Sequence, residues 1–281
     1  AGLELAELYR GGRCFSELRR GAGHTVPSEG PMEDSLAKGL GRLIHGDDRP
    51  RLQAWSAFLD GQASSGEYRR MLLTTLLGAE AAGDLEGAEA SLRAHPAIVA
   101  ELRELLEVLD SRLAHATLPW LHPSGVPLQL HAHYRLNEVM SALGDVRGGR
   151  LYLPREGVCF HKATHTNLLF VTLVKDEDDY SPTTLYADYA LDSKRFHWQS
   201  QSGTRPTDKK GQRHVHHARD GITPLLFVRQ TRKDERNETQ PYQFLGAVTL
   251  VSWTEQRPMN IVWELQQAMP AATLKRARVV G

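Results

Sequence analysis

Between Leu118 and Gly125 the chain sets Pro119, Pro123 and Gly125 into eight residues, and the apolar pattern differs on the two sides of that break. Before it, apolar residues recur every three or four positions, as on one face of a helix. After it they come in short runs bounded by turn-forming residues, as in strands. Crowded prolines and glycine end a helical period. The sequence therefore predicts a helical domain over 1–117 and a second, strand-built domain over 118–281.

In the first domain Leu3, Leu5, Leu8 and Tyr9 stop at Gly11-Gly12, and Phe15 and Leu18 stop at Gly21-Ala22-Gly23. Met32, Leu36, Leu40, Leu43 and Ile44 form the next stripe, followed by Trp55, Phe58 and Leu59, and by Met71, Leu72, Leu73, Leu76 and Leu77 after Ser65-Gly66. Pro96 suits the first turn of a helix that carries Ile98, Val99, Leu102, Leu105, Leu106, Leu109 and Leu113. The spacing predicts about six helices whose stripes form a core. It points to no chemistry there.

In the second domain a helical patch runs from Leu136 to Leu143 and ends at Gly144. Strands are predicted at 128–130, 157–161, 167–174, 184–189, 196–200, 225–229, 242–252 and 260–265. Short strands separated by turns, with no long helix between them, argue for a mainly antiparallel sheet that closes or half-closes into a barrel. The expected fold is α+β, a helical domain followed by a β-barrel-like domain.

With 281 residues, 41% of them apolar and 24% charged, the chain has the composition of a globular protein. No run approaches eighteen apolar residues, so no membrane span is expected. Residues 1–10 lack a signal pattern, which places the protein in the cytoplasm, with Cys14 and Cys159 reduced. The chain opens on Ala with a helix under way within a few residues, as a segment of a longer protein would. Its zero net charge conceals an asymmetry. Residues 1–117 carry 13 basic against 18 acidic side chains, and the remainder 21 against 16. A net of +5 on the second half, which also holds nine of the thirteen histidines, suits a polyanionic partner.

Several motifs are absent. There is no Gly-x-x-x-x-Gly-Lys-Ser/Thr loop, no Gly-x-Gly-x-x-Gly and no Gly-x-Ser-x-Gly elbow. Nucleotide hydrolysis by this chain alone is not expected, and no cofactor is assigned to it.

The segment from Tyr180 to Gln201 gathers Tyr180, Tyr186, Tyr189, Phe196 and Trp198 beside Asp188, His197, Gln199, Ser200 and Gln201. Flat apolar faces next to hydrogen-bonding groups are what a planar polar ligand such as a base requires. The same aromatics would equally fill a β core. Arg205, Lys209, Lys210, Arg213 and Arg219 follow, in a stretch that Gly203, Pro206 and Gly211 mark as a loop. Cations beside aromatics serve nucleic acid binding, with phosphates held by charge and bases by stacking. His131-x-His133 could place two imidazoles on one strand face as metal ligands, but no third ligand is evident. His214, His216 and His217 lie among cations, which disfavour a bound metal.

Taken together, several pieces resemble one known family. They are Phe170-Val171-Thr172-Leu173, Tyr180-Ser181-Pro182-Thr183-Thr184, Tyr186-x-Asp188-Tyr189-Ala190, Phe196-His197-Trp198-Gln199-Ser200-Gln201, Gly211-Gln212-Arg213, Leu225-Leu226-Phe227-Val228-Arg229, Pro241-Tyr242-x-Phe244-Leu245-Gly246 and Arg257-Pro258-Met259. From about Val158 to Leu265 the chain resembles the 3427 family, a C-terminal domain of unknown function that follows the motor domains of bacterial superfamily II DEAD/DEAH-type helicases. Some of those helicases also carry phospholipase D-like nuclease domains. His131-x-x-Tyr134 and Glu138 fit the longer pattern, while His214, Leu250 and Trp253 depart from it. The departures weaken a catalytic role for a late histidine.

The resemblance implies a helicase appendage, with ATP and Mg bound only at motor domains upstream. The residues then suggest a non-catalytic module that binds DNA and positions the motor or an attached nuclease. Tyr180, Tyr186, Tyr189, Phe196 and Trp198 would be stacking walls, His197, Gln199 and Gln201 edge contacts, and Arg205, Lys209, Lys210 and Arg213 phosphate contacts. Such a face could also receive a flipped or modified base. One alternative is a metal-assisted nuclease or demodification hydrolase using His131, His197 and Asp188. The other is a structural domain that docks on its own helicase motor.

Overall fold

The computed structural model describes residues 4–26, 30–113, 116–121, 125–174, 188–254 and 257–278. Two compact units divide the chain, Ala1–Leu153 and Pro154–Gly281. Residues 118–153, placed with the strands by the break at Leu118–Gly125, fold with the helical unit. No helix among the described residues is long and apolar enough to cross a membrane.

The first unit contains α1 (Leu5–Leu8), α2 (Phe15–Gly21), α3 (Glu33–Leu43), α4 (Arg49–Leu59), α5 (Gly66–Leu77), α6 (Leu85–Arg93) and α7 (Pro96–Ser111). Then come β1 (Leu118–Pro119), β2 (Gln129–Leu130), β3 (His133–Tyr134), α8 (Leu136–Leu143), β4 (Val146–Arg147) and β5 (Arg150–Leu151). Caps fix where several helices start. Asp48, Ser65 and Asp84 accept backbone N–H bonds at the heads of α4, α5 and α6. Pro96 opens α7, and Gly144, at φ 70°, closes α8 in the left-handed region. Leu36, Leu40 and Leu43 of α3 are buried, as are Trp55 of α4, Leu72 and Leu76 of α5, and Ile98 and Leu102 of α7. Gly39 lets α3 meet α5 closely, since a Cβ there would lie 2.6 Å from the Leu76 backbone.

α8 also packs on α5, and it brings Glu138 into a buried ionic network. The Arg51 guanidinium donates through Nη1 to Glu138 Oε1 at 2.9 Å and through Nη2 to the His133 carbonyl at 3.0 Å, with Asp48 Oδ2 at 2.8 Å from Nε. Glu138 Oε2 accepts from the Arg135 backbone N–H at 2.7 Å and lies 2.6 Å from His45 Nε2. The Arg51 guanidinium also sits 4.4 Å from the Tyr134 ring centre. Arg51, Asp48 and Glu138 are all fully buried. Burial alone would raise the Glu138 carboxyl, but His45 and Arg51 overcome it and hold the group at about 2.

The second unit contains β6 (Val158–His161), β7 (Thr166–Thr172), β8 (Tyr189–Ala190), β9 (Arg195–Gln199), α9 (Lys209–Val215), β10 (Thr223–Arg229), β11 (Tyr242–Thr254), β12 (Asn260–Leu265) and α10 (Ala271–Ala277). These strands lie in the order β6-β7-β10-β11-β12-β9-β8. All neighbours are antiparallel except β7 and β10, which run parallel from Thr166↔Thr223 to Thr172↔Arg229. A parallel pair needs a long crossover, and β8, β9 and α9 all fall within this one. The fold is thus helical and then mainly antiparallel, as expected. Closure into a barrel is not seen among the described strands, where β6 and β8 are the two ends of the order.

One face of this sheet carries the core. Leu169 and Val171 of β7, Leu226 and Val228 of β10, Phe196 and Trp198 of β9, Ile261 and Trp263 of β12 and Ala277 of α10 form one buried cluster, with Val215 of α9 and Leu274 of α10 against it. On the opposite face Phe170, Phe227 and Phe244 stack in a row, with ring centres 4.9 and 4.7 Å apart. Each large side chain buried here contributes roughly 1.5–3 kcal/mol.

The Arg51 network gives the first test. Arg51→Met leaves Asp48 and Glu138 buried without their main cation, and the full chain should lose about 3–5 kcal/mol of stability in urea unfolding. The Glu138 contribution has a fixed sign with pH. A carboxyl held down when folded stabilises in full above its ordinary pKa, and that stabilisation disappears as pH falls through about 2. Glu138→Gln should therefore flatten the acid limb of the stability profile.

Candidate functional site

β9 sorts the predicted site residues between two faces. Its side chains alternate, so Phe196 and Trp198 point into the core at 0% and 4% exposure, while His197 and Gln199 are half-buried on the other side. Phe196 and Trp198, expected as open stacking walls, are core residues here, and neither presents a ring face to solvent. Tyr180 and Tyr186 lie outside the described residues.

The outward side forms a strip across four strands, β8, β9, β12 and β11. Tyr189 of β8 pairs with His197, and the half-buried Tyr189 ring stacks on the imidazole at 4.6 Å with 20° between planes. Asp188 Oδ1 accepts the Gln199 backbone N–H at 2.9 Å. The Gln199 side chain donates to Asn260 Oδ1 at 2.8 Å, and Asn260 donates to Thr254 Oγ1 at 3.3 Å. Stacked rings thus lie beside a row of amides.

The inward side is a cluster of tryptophans and histidines. Trp198 meets the His214 ring edge-on at 5.0 Å and Trp263 at 6.3 Å, and His217 meets Trp263 at 5.7 Å. His217 Nε2 accepts from the Leu250 backbone N–H at 3.2 Å, so its proton sits on Nδ1, which donates to the Ile222 carbonyl at 3.3 Å. Asn167 Nδ2 lies 3.3 Å from His214 Nδ1 and donates to it. Burial, and then the Arg213 cation, push His214 down to about 4, so it is neutral near pH 7. Burial lowers His217 as well.

The basic stretch read as a loop contains α9 instead. Its buried positions Gly211 and His214 are three apart, a spacing too short to register as a period in the sequence. The helix sits flush against the turn before it, since a Cβ on Gly211 would lie 1.9 Å from the Arg205 carbonyl oxygen. That turn is held by Asp208 Oδ2, which accepts the Arg205 backbone N–H at 2.9 Å. The cations of the stretch, among them the predicted phosphate contacts Arg205, Lys209, Lys210 and Arg213, then differ in what they meet. Arg213 lies 4.5 Å over the Phe160 ring. Lys210 Nζ is 2.7 Å from Glu156 Oε2 and 3.0 Å from Gln201 Oε1, and Arg219 pairs with Asp220. Arg205 and Lys209 are exposed, and no carboxylate among the described residues pairs with them.

His131 belongs to the first unit, whereas Asp188 and His197 belong to the second. Among the described residues no group of three or more His, Cys, Asp or Glu side chains is placed to hold a metal ion. Glu156 was not singled out in the sequence, because a lone glutamate in a turn carries no pattern.

Residues 128–276, just over half of the chain, match the family described as Domain of unknown function (DUF3427). The chain belongs to the DUF3427 family. The match starts within the first unit, so it includes β2, β3 and α8 as well as the whole described sheet of the second. No curated protein matches the chain. In this DUF3427 chain the aromatic signature is therefore split, with its tryptophan in the core and its histidine and glutamines outside.

The neutral, buried His214 gives a pH test. Unfolded imidazole takes up its proton near 6.5 but the folded group only near about 4. Between those values the unfolded state holds one more proton, so stability rises with pH across the window. The chain should lose up to roughly 3 kcal/mol between pH 6.5 and pH 4 from this group. Urea midpoints for His214→Gln should show a shallower slope over that range than the unaltered protein.

Proposed function

We propose that this chain is a non-catalytic module that binds single-stranded nucleic acid and serves as an accessory part of a superfamily II DNA helicase. Tyr189 and His197 carry the reading, as a stacked aromatic pair half-open to solvent on a sheet surface, beside the Gln199 and Asn260 amides. Stacked rings on a sheet accept unpaired bases, and amides next to them bond base edges. Arg205 and Lys209 offer exposed cations for phosphates, and the second unit, with 18 basic against 14 acidic side chains over 154–281, has an excess that favours a polyanion. The helicase connection draws on the motif resemblance set out above, with ATP turnover assigned to a motor elsewhere. The role would be to position that motor, or a nuclease attached to it, on a strand.

Fluorescence anisotropy of a labelled oligonucleotide tests this reading. The full chain should bind a single strand more tightly than a duplex, and the affinity should fall steeply with salt. Tyr189→Ala should cost roughly 1–3 kcal/mol of binding with an unchanged salt slope. Arg205→Gln and Lys209→Gln should each shrink that slope by about 0.7. No binding to any oligonucleotide at low salt would overturn the proposal.

A further inference from the structure

Lys210, Gln201 and Glu156 close a small ring on the surface of the second unit. Lys210 Nζ lies 2.7 Å and Gln201 Nε2 2.8 Å from the same atom, Glu156 Oε2, while Lys210 also donates to Gln201 Oε1 at 3.0 Å. Two donors, one of them a cation, therefore converge on a single anionic oxygen. Glu156 comes from the connection before β6, Gln201 from the segment just past β9 and Lys210 from the first turn of α9, so the carboxylate reaches the two donors from a distant part of the sequence. Glu156 and Lys210 are exposed and Gln201 half-buried, so another oxyanion has access to the same donors. The carboxyl is held below its ordinary range by the Lys210 and Gln201 bonds, and it is ionised at neutral pH.

We infer that Glu156 Oε2 occupies a phosphodiester-binding spot, formed by Lys210 Nζ and Gln201 Nε2, from which a nucleic acid strand must displace it. The inference rests on the nucleic acid reading above and adds an internal competitor to it. A phosphate oxygen satisfies both donors as the carboxylate does. An exposed lysine–glutamate pair contributes little to stability, so its displacement carries a small cost. Arg205 and Lys209, on the turn before α9 and in its first turn, are placed to take neighbouring phosphates. The carboxylate thereby lowers affinity for any anion held at this spot alone, whereas a strand also held at Arg205 and Lys209 presents its phosphate at a high effective concentration, which gives it an advantage over small anions.

The test is a double-mutant cycle on the full chain, read by anisotropy with a labelled single-stranded oligonucleotide at low salt. E156Q should tighten binding about three- to tenfold, and K210Q should weaken it. In the K210Q background E156Q should bring little gain, since the cation it would free is gone and only the neutral Gln201 donor remains. D220N, which removes an exposed carboxylate paired with Arg219 instead, should not reproduce the E156Q gain. Inorganic phosphate should compete no better than chloride at matched ionic strength. If E156Q leaves affinity unchanged, or its gain survives in K210Q, the inference is overturned while the binding reading stands. Competition by millimolar inorganic phosphate would overturn the strand as the ligand of this spot. Failure of every variant to bind would overturn both.

Discussion

The packing of the neutral His214 ring against Trp198 and Trp263 decides where α9 lies, and the candidate site depends on that placement. Three constraints meet at this one short helix. Asn167 fixes the imidazole from β7, the tryptophans fix it from β9 and β12, and Gly211 lets the preceding turn close onto the helix. A charged imidazole would be costly among those rings, and the burial that lowers its pKa keeps it neutral. The cations of the basic stretch are consequently carried on a docked helix and the turn before it. A fixed helix holds Lys210 against Glu156 and Arg213 over Phe160, whereas a mobile loop would leave all of them solvated.

Periodicity made much of the local structure legible. α8 ends at the predicted residues Leu136 and Leu143, and β12 spans 260–265 as read, because each has an unbroken pattern with a clear stop. The alternation of β9 was equally readable once it was a strand, and it alone separates Trp198 from His197. What remained hidden depends on contacts between distant segments. The parallel pairing of β7 with β10 shows only as two continuous apolar runs, Leu168–Val171 and Leu225–Val228, which a buried antiparallel strand could carry as well. The Arg51 network joins residues 45–51 to residues 133–138, and neither stretch has a motif of its own. That network also explains why residues 118–153 fold with the helices although the break at Leu118–Gly125 comes before them. Their strand-like pattern is real, but Glu138 and Tyr134 supply partners for buried charges on α4 and the segment before it, and so they fold with the helices.

The split of the aromatic signature also limits how a ligand could use it. A base stacked on an aromatic ring yields roughly 1–3 kcal/mol. Removing a tryptophan of the Trp198 kind from a packed core costs about 3–5 kcal/mol, and Phe196 would lose its contacts with it. Withdrawing these rings to meet a base would therefore cost more than the stacking returns, even before His214 and α9 lose their support. Tyr189 and His197 require no such rearrangement, since their rings are already stacked on the outer face. In the proposed nucleic acid reading the inner aromatics would act indirectly, by seating the helix that carries the cations. In that reading charge and stacking would enter from different sides of the sheet, α9 being packed on the inward side through His214 while Tyr189 and His197 lie on the outward side of β9. Only a strand long enough to pass round the β8 edge could meet both, while a single nucleotide would have to choose.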